Sequence, residues 1–331
     1  MRRIAVVLSC AGLVLAAIAG CGDDDGSGAS SGGGDGSSGK TKVTFRLNWV
    51  IAGNHAPFYL AKEKGYWSAC GLDVQMAAGK GSGDTAQLVA TGSQDFGLTD
   101  AVSIVAGRSQ GLPIKSLGVV YQTNPSSFVS QKDKNITSVQ DVAGKSFGAV
   151  PGGSPYLLAQ ALFSANHVKP AKEVSVPAPG IAQLKTGQVD FITFFGNEVA
   201  NIDPDWKQNL NVVLFKDAGQ DIYGLTLSAS DDYAAAHPDQ VKCFREGVVK
   251  GFQAAKANPD EALDALKQAV PATGANPDVQ KQLLQGAFDY TGDDLLAEDA
   301  SRWEATEKVL LDAGVAKKRV PVDEIMSSSG Q

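Results

Sequence analysis

The chain has 331 residues, a net charge of −7 at neutral pH, 43% hydrophobic residues and 20% charged residues. These proportions are typical of a soluble globular protein, and the length predicts two domains or two lobes. The excess of acidic residues argues against binding to nucleic acid and against peripheral binding to anionic lipid.

The N-terminus has the layout of a secretory signal peptide. Two arginines precede an apolar stretch over residues 4–18, which is shorter than the ~20 residues that a membrane-spanning helix needs. Cys21 follows an Ala-Gly pair, as in a bacterial lipobox, where the thiol takes lipid and becomes the mature N-terminus. We expect residues 1–20 to be a lipoprotein signal peptide, whose loss removes both arginines and takes the net charge to −9. The alternative is an ordinary secreted protein in which Cys21 is incidental.

The next segment has the composition of a flexible spacer. Residues 22–39 are all Gly, Ser, Asp or Ala. Such a stretch cannot bury enough apolar surface to offset the entropy lost on ordering. We therefore expect residues 21–40 to be a lipidated cysteine and a linker with a reach of roughly 20–25 Å. The linker would hold the folded part at the outer face of the bacterial cell membrane.

Beyond the linker, strand and helix signals alternate. Strands are predicted at residues 43–47, 72–76, 95–98, 114–121, 146–150, 173–176 and 189–194. Helices are predicted at residues 57–64, from 84, 100–106, 156–166, 181–186 and over most of the chain from 231. This alternation predicts an α/β fold built on parallel sheets. Because the pattern restarts after about residue 121, the chain is expected to form two similar lobes.

Loops at the carboxyl ends of the strands are the candidate ligand contacts, because ligands of open parallel sheets bind there. The candidate loops are Asn48–Trp49, Gly79–Ser82, Thr99–Asp100, Pro151–Ser154 and Phe195–Glu198. They combine aromatic, amide, hydroxyl and carboxylate groups with a single lysine. This chemistry suits a neutral or weakly basic aromatic ligand held by stacking and a few hydrogen bonds. Taken singly, each loop has a structural alternative, such as a Trp over a core edge or a Pro-Gly-Gly turn.

Several of these segments resemble the thiamine-pyrimidine-synthase-like family. The specific ones are Leu47–Trp49, Asn54–Lys62, Lys64–Trp67 and Gly71–Val74, and the more widely shared ones are Thr91–Gly97 and Lys185–Asp190. The resemblance covers about residues 43–270. The family includes substrate-binding lipoproteins of ABC importers for thiamine-precursor pyrimidines, with relatives for riboflavin, sulfonates and nitrate. It implies a type II periplasmic-binding-protein fold, in which two α/β lobes are joined by a two-strand hinge and the ligand cleft lies between them.

The same family contains enzymes, and the sequence lacks their reactive residues. In fungal-type synthases the third strand is followed by a lysine that holds pyridoxal phosphate and, four residues on, by a histidine that is consumed. Thr99 and Ser103 stand at these positions, and Asp221–Leu225 lacks the cysteines that hold iron. Without an amine to form the Schiff base with pyridoxal phosphate, and without soft ligands for iron, these positions cannot support that chemistry. We therefore expect no enzymatic activity and no cofactor.

Other catalytic motifs are also incomplete. Residues 107–111 fit G-x-S-x-G, but they follow a helix and precede a strand, the reverse of a nucleophile elbow. Residues 79–83 lack the Gly-Lys-Ser/Thr end of a phosphate loop. His55, His167 and His237 have no metal-ligand spacing, so no metal site is expected. A secreted enzyme acting on a heterocycle remains the alternative from another functional class.

The expected architecture assigns each segment to a lobe. Residues 41–123 and the mainly helical residues 226–331 should form lobe one, and residues 124–225 lobe two. The chain should cross between lobes near residues 121–123 and 221–223, and the lobes should close around the ligand. The predicted ligand-binding residues are Asn48, Trp49, Asn54, His55, Ser82, Thr99, Asp100, Tyr121, Gly152, Gly153, Ser154, Phe195, Asn197, Glu198 and Tyr223.

The resemblance also implies a ligand and partners. A thiamine-precursor pyrimidine is the expected ligand, with riboflavin, a sulfonate or another small anion as alternatives. The family places a ligand-binding carboxylate near Glu198, although a Glu there could equally charge the first turn of a helix. The expected partners are an ABC permease with its ATPase and the membrane, through lipid on Cys21. The protein is expected to be a monomer.

Two cysteines remain beyond the lipobox. In an oxidising compartment Cys70 and Cys243 are expected to pair in a disulfide, and two buried free thiols are the alternative.

Overall fold

The computed structural model describes residues 39–327 apart from residues 152 and 203. The expected signal peptide, Cys21, nearly all of the expected linker and Gly152 therefore lie outside the described residues. Within the described part of the chain, none of the helices combines the length and apolar character needed to cross a bilayer.

The strands form two five-stranded sheets of equivalent layout. They are β1 (Thr41–Arg46), β2 (Leu72–Ala77), β3 (Phe96–Asp100), β4 (Ile114–Val119), β5 (Ser126–Gln131), β6 (Ser146–Ala149), β7 (Lys172–Ser175), β8 (Phe191–Phe195), β9 (Leu210–Leu214) and β10 (Leu225–Ser230). The order is β2-β1-β3-β10-β4 in the first sheet and β7-β6-β8-β5-β9 in the second. Each sheet, with the helices packed on it, is a lobe, and the equivalent strand orders explain why the βα pattern occurs twice.

Both sheets are mixed, so the prediction of a fold built on parallel sheets was correct only in part. β10 runs antiparallel to β3 and β4, and β5 runs antiparallel to β8 and β9, whereas the other pairings are parallel. The physical reason is that β5 and β10 are the first strands after the chain crosses between lobes, and they enter their sheets from the opposite direction. Both are rich in serine, which gave no strand signal in the sequence.

Helices cover the sheets. They are α1 (Ala56–Glu63), α2 (Ser82–Ala90), α3 (Ala101–Ser109), α4 (Ser154–Ala165), α5 (Ile181–Lys185), α6 (Pro204–Lys207), α7 (Asp231–Ala236), α8 (Pro238–Ala257), α9 (Pro259–Ala269), α10 (Pro277–Thr291), α11 (Ala300–Asp312) and α12 (Val322–Ile325). α2 and α4 begin two residues earlier than predicted, each at a serine that follows a glycine. Both serines are thereby placed at helix starts that follow strands.

Aromatic stacking and a disulfide attach α8 to the first sheet. Phe244 of α8 stacks on Phe96 of β3 with ring centroids 3.9 Å apart, and on Trp67 at 5.6 Å. The Trp67 indole nitrogen also donates to the carbonyl of Phe244 at 2.9 Å. A few residues away, Cys70 and Cys243 are joined by a disulfide. The chain therefore returns to the first lobe after completing the second sheet.

The two crossings between the lobes lie against each other. The chain passes to the second sheet between Val119 and Ser126 and returns between Leu214 and Leu225. The backbone nitrogen of Asn124 donates to the Ile222 carbonyl at 2.9 Å, and that of Gly224 donates to the Tyr121 carbonyl at 2.9 Å. A Cβ on Gly224 would lie 2.9 Å from the carbonyl oxygen of Thr123, so only glycine fits without displacing the neighbouring strand. The paired crossings form a compact hinge.

Candidate ligand-binding site

A cavity of about 80 Å³ lies between the lobes. This volume is below the ~300–1,000 Å³ that is typical of small-molecule sites. Seven of the predicted residues line it: Asn48, Trp49, Ser82, Gly153, Ser154, Phe195 and Glu198. The other lining residues are Gly81, Val150, Pro155, Tyr156, Ala178, Pro179, Thr193 and Phe194.

The strand ends explain how distant segments meet here. Asn48 and Trp49 follow β1, and the loop that follows β2 folds back onto them, because the backbone nitrogen of Gly81 donates to the Asn48 carbonyl at 2.9 Å. From the second lobe, α4 begins at Ser154 just after β6, and Phe195 ends β8. Both lobes therefore contribute their strand ends to one cleft.

Aromatic and apolar side chains dominate the walls. Trp49 is half-buried at the first-lobe side, and Tyr156, Phe194 and Phe195 come from the second lobe. The described lining contains no lysine or arginine. Such walls favour a flat, apolar ring held by stacking. Of the lining residues that sequence analysis missed, Pro179 could have been found, because it lies in the loop that follows β7.

Glu198 is the ionisable group in the wall, and a residue of the opposite lobe holds it. The Asn54 amide nitrogen donates to Oε1 of Glu198 at 3.0 Å. Burial raises the pKa of the Glu198 carboxyl from 4.5 to about 7. Near neutral pH this group therefore exists in comparable amounts as a carboxylate and as a carboxylic acid.

Asn48 is held in a similar way by His55. The imidazole Nε2 lies 3.0 Å from Oδ1 of Asn48, and Nδ1 lies 3.2 Å from the backbone nitrogen of Ala52. Burial lowers the pKa of His55 to about 4, so the ring is neutral at physiological pH. Both Asn54 and His55 were predicted to contact ligand, but neither lines the cavity. They lie one layer behind it, against residues that do.

Five further predicted residues lie outside the cavity lining: Thr99, Asp100, Tyr121, Asn197 and Tyr223.

Three of the five have partners within the protein fold. Thr99 donates to the carbonyl of Thr226 in β10 at 3.4 Å. The Asp100 carboxylate caps α3 by accepting from the backbone nitrogen of Val102, and it accepts from Asn124 at 2.9 Å. Tyr223 accepts from the backbone of Asp299. The strand-end argument placed Thr99 and Asp100 at the ligand because it did not include β10, which pairs with β3.

Tyr121 and Asn197 face each other across the lobes, behind the cavity wall. The Tyr121 hydroxyl lies beside the amides of Asn54 and Asn197. The hydroxyl and both amide atoms of Asn197 are buried without a hydrogen bond of ordinary geometry to any described residue. These two residues belong to the contact between the lobes.

The buried carboxyls predict a pH dependence of stability. Burial also raises the pKa of Asp100 to about 7, partly opposed by hydrogen bonds from Val102, Ser154 and Asn124. A carboxyl whose pKa is raised on folding stabilises the fold fully below its unfolded pKa, and that stabilisation is lost as pH rises through the folded value. We therefore expect the free energy of unfolding to fall between pH 5.5 and pH 8.

Urea denaturation of wild type and Glu198→Gln at the two pH values isolates the contribution of Glu198. The fall should be smaller in the variant by about 2 kcal/mol, which follows from the difference between 4.5 and about 7. Glu63→Gln, at an exposed position of α1, is the control and should keep the wild-type fall. Parallel pH profiles for Glu198→Gln and wild type would contradict the assignment.

Comparisons with known proteins agree with this architecture. Residues 52–262 match a family model described as NMT1/THI5 like. The riboflavin-binding protein RibY of Chloroflexus aurantiacus is 27% identical over 307 residues, which cover 87% of this chain and 85% of the relative. The 4-amino-5-hydroxymethyl-2-methylpyrimidine phosphate synthase of Legionella pneumophila is 30% identical over 114 residues, 34% of this chain and 36% of that enzyme.

Solved structures share the fold. The alkanesulfonate-binding protein SsuA of Xanthomonas axonopodis pv. citri superposes with a TM-score of 0.69 at 16% identity, covering 85% of this chain and 96% of that one. At this level of identity the likeness concerns the fold alone. The prediction of a periplasmic-binding-protein fold with two α/β lobes is confirmed.

Proposed function

The chain belongs to the NMT1/THI5-like family, and from this premise we propose that it is the extracytoplasmic substrate-binding component of an ABC importer for a small aromatic heterocycle. The observation that carries the proposal is the cavity itself. It lies between two lobes, has aromatic walls from both, and contains a buried carboxyl, Glu198, with no lysine or arginine in its described lining. A heterocycle would stack on the aromatic walls and form hydrogen bonds between its polar edge and the Glu198 carboxyl.

A thiamine-precursor aminopyrimidine is the ligand that this chemistry favours. Its exocyclic amine can donate to the Glu198 carboxylate, and its ring nitrogens can accept hydrogen bonds from neighbouring donors. Because the pKa of Glu198 is about 7, its carboxyl can be ionised or protonated, whichever pairs with the donors and acceptors of the ligand's edge.

Riboflavin is the second candidate, and one observation favours it. The riboflavin-binding relative aligns over 87% of this chain at 27% identity, against 77% at 24% identity for the synthase of Aspergillus parasiticus. An isoalloxazine ring would use the same aromatic walls. A sulfonate would gain from the starts of α2 and α4, which have no side-chain cap, but it would meet the carboxyl without a cationic partner in the described lining.

Binding without catalysis is the activity proposed, in spite of the enzymes among the relatives. Thr99 and Ser103 occupy the positions where the synthases carry lysine and histidine, and both side chains are buried. Thr99 is committed to a hydrogen bond with β10. A hydroxyl at either position cannot form a Schiff base with pyridoxal phosphate.

The remaining parts of the proposal concern anchoring and movement. Lipid on Cys21 would tether the protein to the outer face of the membrane through the linker, as a monomer. Lobe one, residues 41–123 and 226–331, would close on lobe two, residues 124–225, about the paired crossings. The closed form would then dock on the permease and its ATPase.

Isothermal titration calorimetry with three compounds tests the proposal. We expect 4-amino-5-hydroxymethyl-2-methylpyrimidine to bind in the micromolar range or tighter, with riboflavin weaker and methanesulfonate without measurable heat. Tightest binding of riboflavin would favour the second candidate. Absence of binding by both heterocycles would refute the proposal.

Trp49→Ala should weaken binding of the heterocycle by about 1–3 kcal/mol, because it removes an aromatic anchor from the cavity wall. Calorimetric titration of wild type and variant measures the change. Trp206→Ala, which alters a tryptophan outside the cavity lining, is the control and should keep the wild-type affinity. Equal affinities for wild type and Trp49→Ala would remove Trp49 from the site.

A further inference from the structure

Asn54 and His55 are neighbours in one short turn, Gly53–His55, and each is bonded to a different residue of the cavity wall. His55 contacts Asn48 of its own lobe, and Asn54 contacts Glu198 of the opposite lobe. The turn is fixed from behind, because the backbone nitrogen of Gly53 donates to Oε1 of Gln280 in α10 at 2.6 Å. One rigid turn therefore orients the polar groups of both lobes.

The hydrogen bonds of His55 determine which atom of Asn48 faces the cavity. Nδ1 of the imidazole accepts from the backbone nitrogen of Ala52, so in the neutral ring the proton is on Nε2. Nε2–H then donates to Oδ1 of Asn48. The Asn48 side chain is thereby oriented with its amide nitrogen, a donor, free for the cavity that it lines.

Asn54 has the complementary effect on Glu198. The Asn54 amide nitrogen donates a hydrogen bond to Oε1 of Glu198. The other carboxyl oxygen of Glu198 makes no hydrogen bond to any described residue. Because Glu198 lines the cavity, that second oxygen is the one available to a ligand. When the carboxyl is ionised it can only accept.

We propose that Asn54 and His55 are positioning residues that set the hydrogen-bond polarity of the cavity, with a donor at Asn48 and an acceptor at Glu198. This inference rests on the proposed function and narrows its ligand. The bound heterocycle must offer an acceptor to the first lobe and a donor to the second. A 4-aminopyrimidine has this pattern in its ring nitrogen and exocyclic amine, whereas its 4-oxo analogue reverses both groups on that edge.

Competition between two probes at pH 8, where Glu198 is mainly ionised, tests the polarity. The probes are 4-amino-5-hydroxymethyl-2-methylpyrimidine and its 4-oxo analogue. Wild type should prefer the amino probe at least tenfold. His55→Phe should reduce the preference to about threefold or less, because Asn48 can then rotate, and His55→Gln should restore it by supplying a donor.

Asn48→Asp should abolish the preference, because the new carboxylate and Glu198 would then both be acceptors, and each probe would make one favourable and one unfavourable contact. His237→Phe changes an exposed histidine and should leave the ratio as in wild type. A wild type that binds both probes equally, or an Asn48→Asp variant with an unchanged ratio, would overturn the inference and leave the proposed function standing. Failure of wild type to bind either probe or riboflavin would instead refute the function, and the inference with it.

Nitrogen-15 NMR of the wild-type imidazoles supplies a test that needs no ligand. The chain has three histidines, so the His55 signals can be assigned by substitution. We expect His55 to be neutral at pH 7 with the proton on Nε2. A proton on Nδ1, or a protonated ring at pH 7, would overturn the inference whatever the protein binds.

Discussion

Replacing Cys70 and Cys243 together by serine is expected to lower the free energy of unfolding by about 4–5 kcal/mol. The disulfide joins residues 173 positions apart, and closing a loop of that length removes much of the freedom of the unfolded chain. Urea denaturation of the oxidised wild type and of the double variant at one pH measures the difference.

Ligand affinity provides the internal control for this experiment. Both cysteines belong to the first lobe, and neither lines the cavity, so the double variant should bind the heterocycle as wild type does at temperatures where it is folded. A loss of stability below about 1 kcal/mol would show that the bridge contributes little beyond the stacking of Phe244 on Phe96.

Glu198→Gln should weaken binding of an amino-heterocycle by about 1.5–3 kcal/mol, the range for a hydrogen bond to a charged group. Glutamine keeps the shape and the contact with Asn54, but it cannot carry the charge. At pH 8 the empty variant should be at least as stable as wild type, because it no longer buries an ionisable group. Calorimetry at pH 8 and urea denaturation of the ligand-free protein measure the two effects separately.

A matched substitution separates local from general effects. Asp133→Asn changes an exposed carboxylate of the same lobe, outside the cavity lining, and should alter neither property. If Glu198→Gln destabilises the empty protein while affinity is unchanged, Glu198 supports the turn that contains it and does not bind ligand.

Much of the fold could be predicted because the parallel strands have clear sequence patterns. β1, β2 and β3 alternate apolar and polar residues or form short apolar runs, and glycines or prolines bound them. β5 and β10 contain buried serines. These strands are buried because each lies between two other strands of its sheet. Sequence pattern could not reveal them, because tertiary contacts and not side-chain preference hold them there.

The site could be predicted only to the extent that it follows from strand ends. Asn48 and Glu198 lie next to strands in sequence, so topology alone brought both to the cleft. The residues behind them could not be told apart from the lining residues in the same way, because Asn54 and Glu198 are 144 residues apart and belong to different lobes. Asp100 was predicted as a ligand contact from its place at the end of β3, but its hydrogen-bond partners are the start of α3 and the hinge residue Asn124.

The contact between Tyr121 and Asn197 has a consequence for the balance between open and closed forms of the ligand-free protein. Their buried polar atoms lack hydrogen bonds of ordinary geometry to the described residues, and we expect water to reach them when the lobes part. Each such group costs about 1–3 kcal/mol, so we expect closure without cargo to be roughly 5- to 150-fold rarer per group than it would be with satisfied partners. A bound heterocycle offsets this cost through its own contacts. Under the proposed function, empty molecules would stay open and seldom dock on the importer.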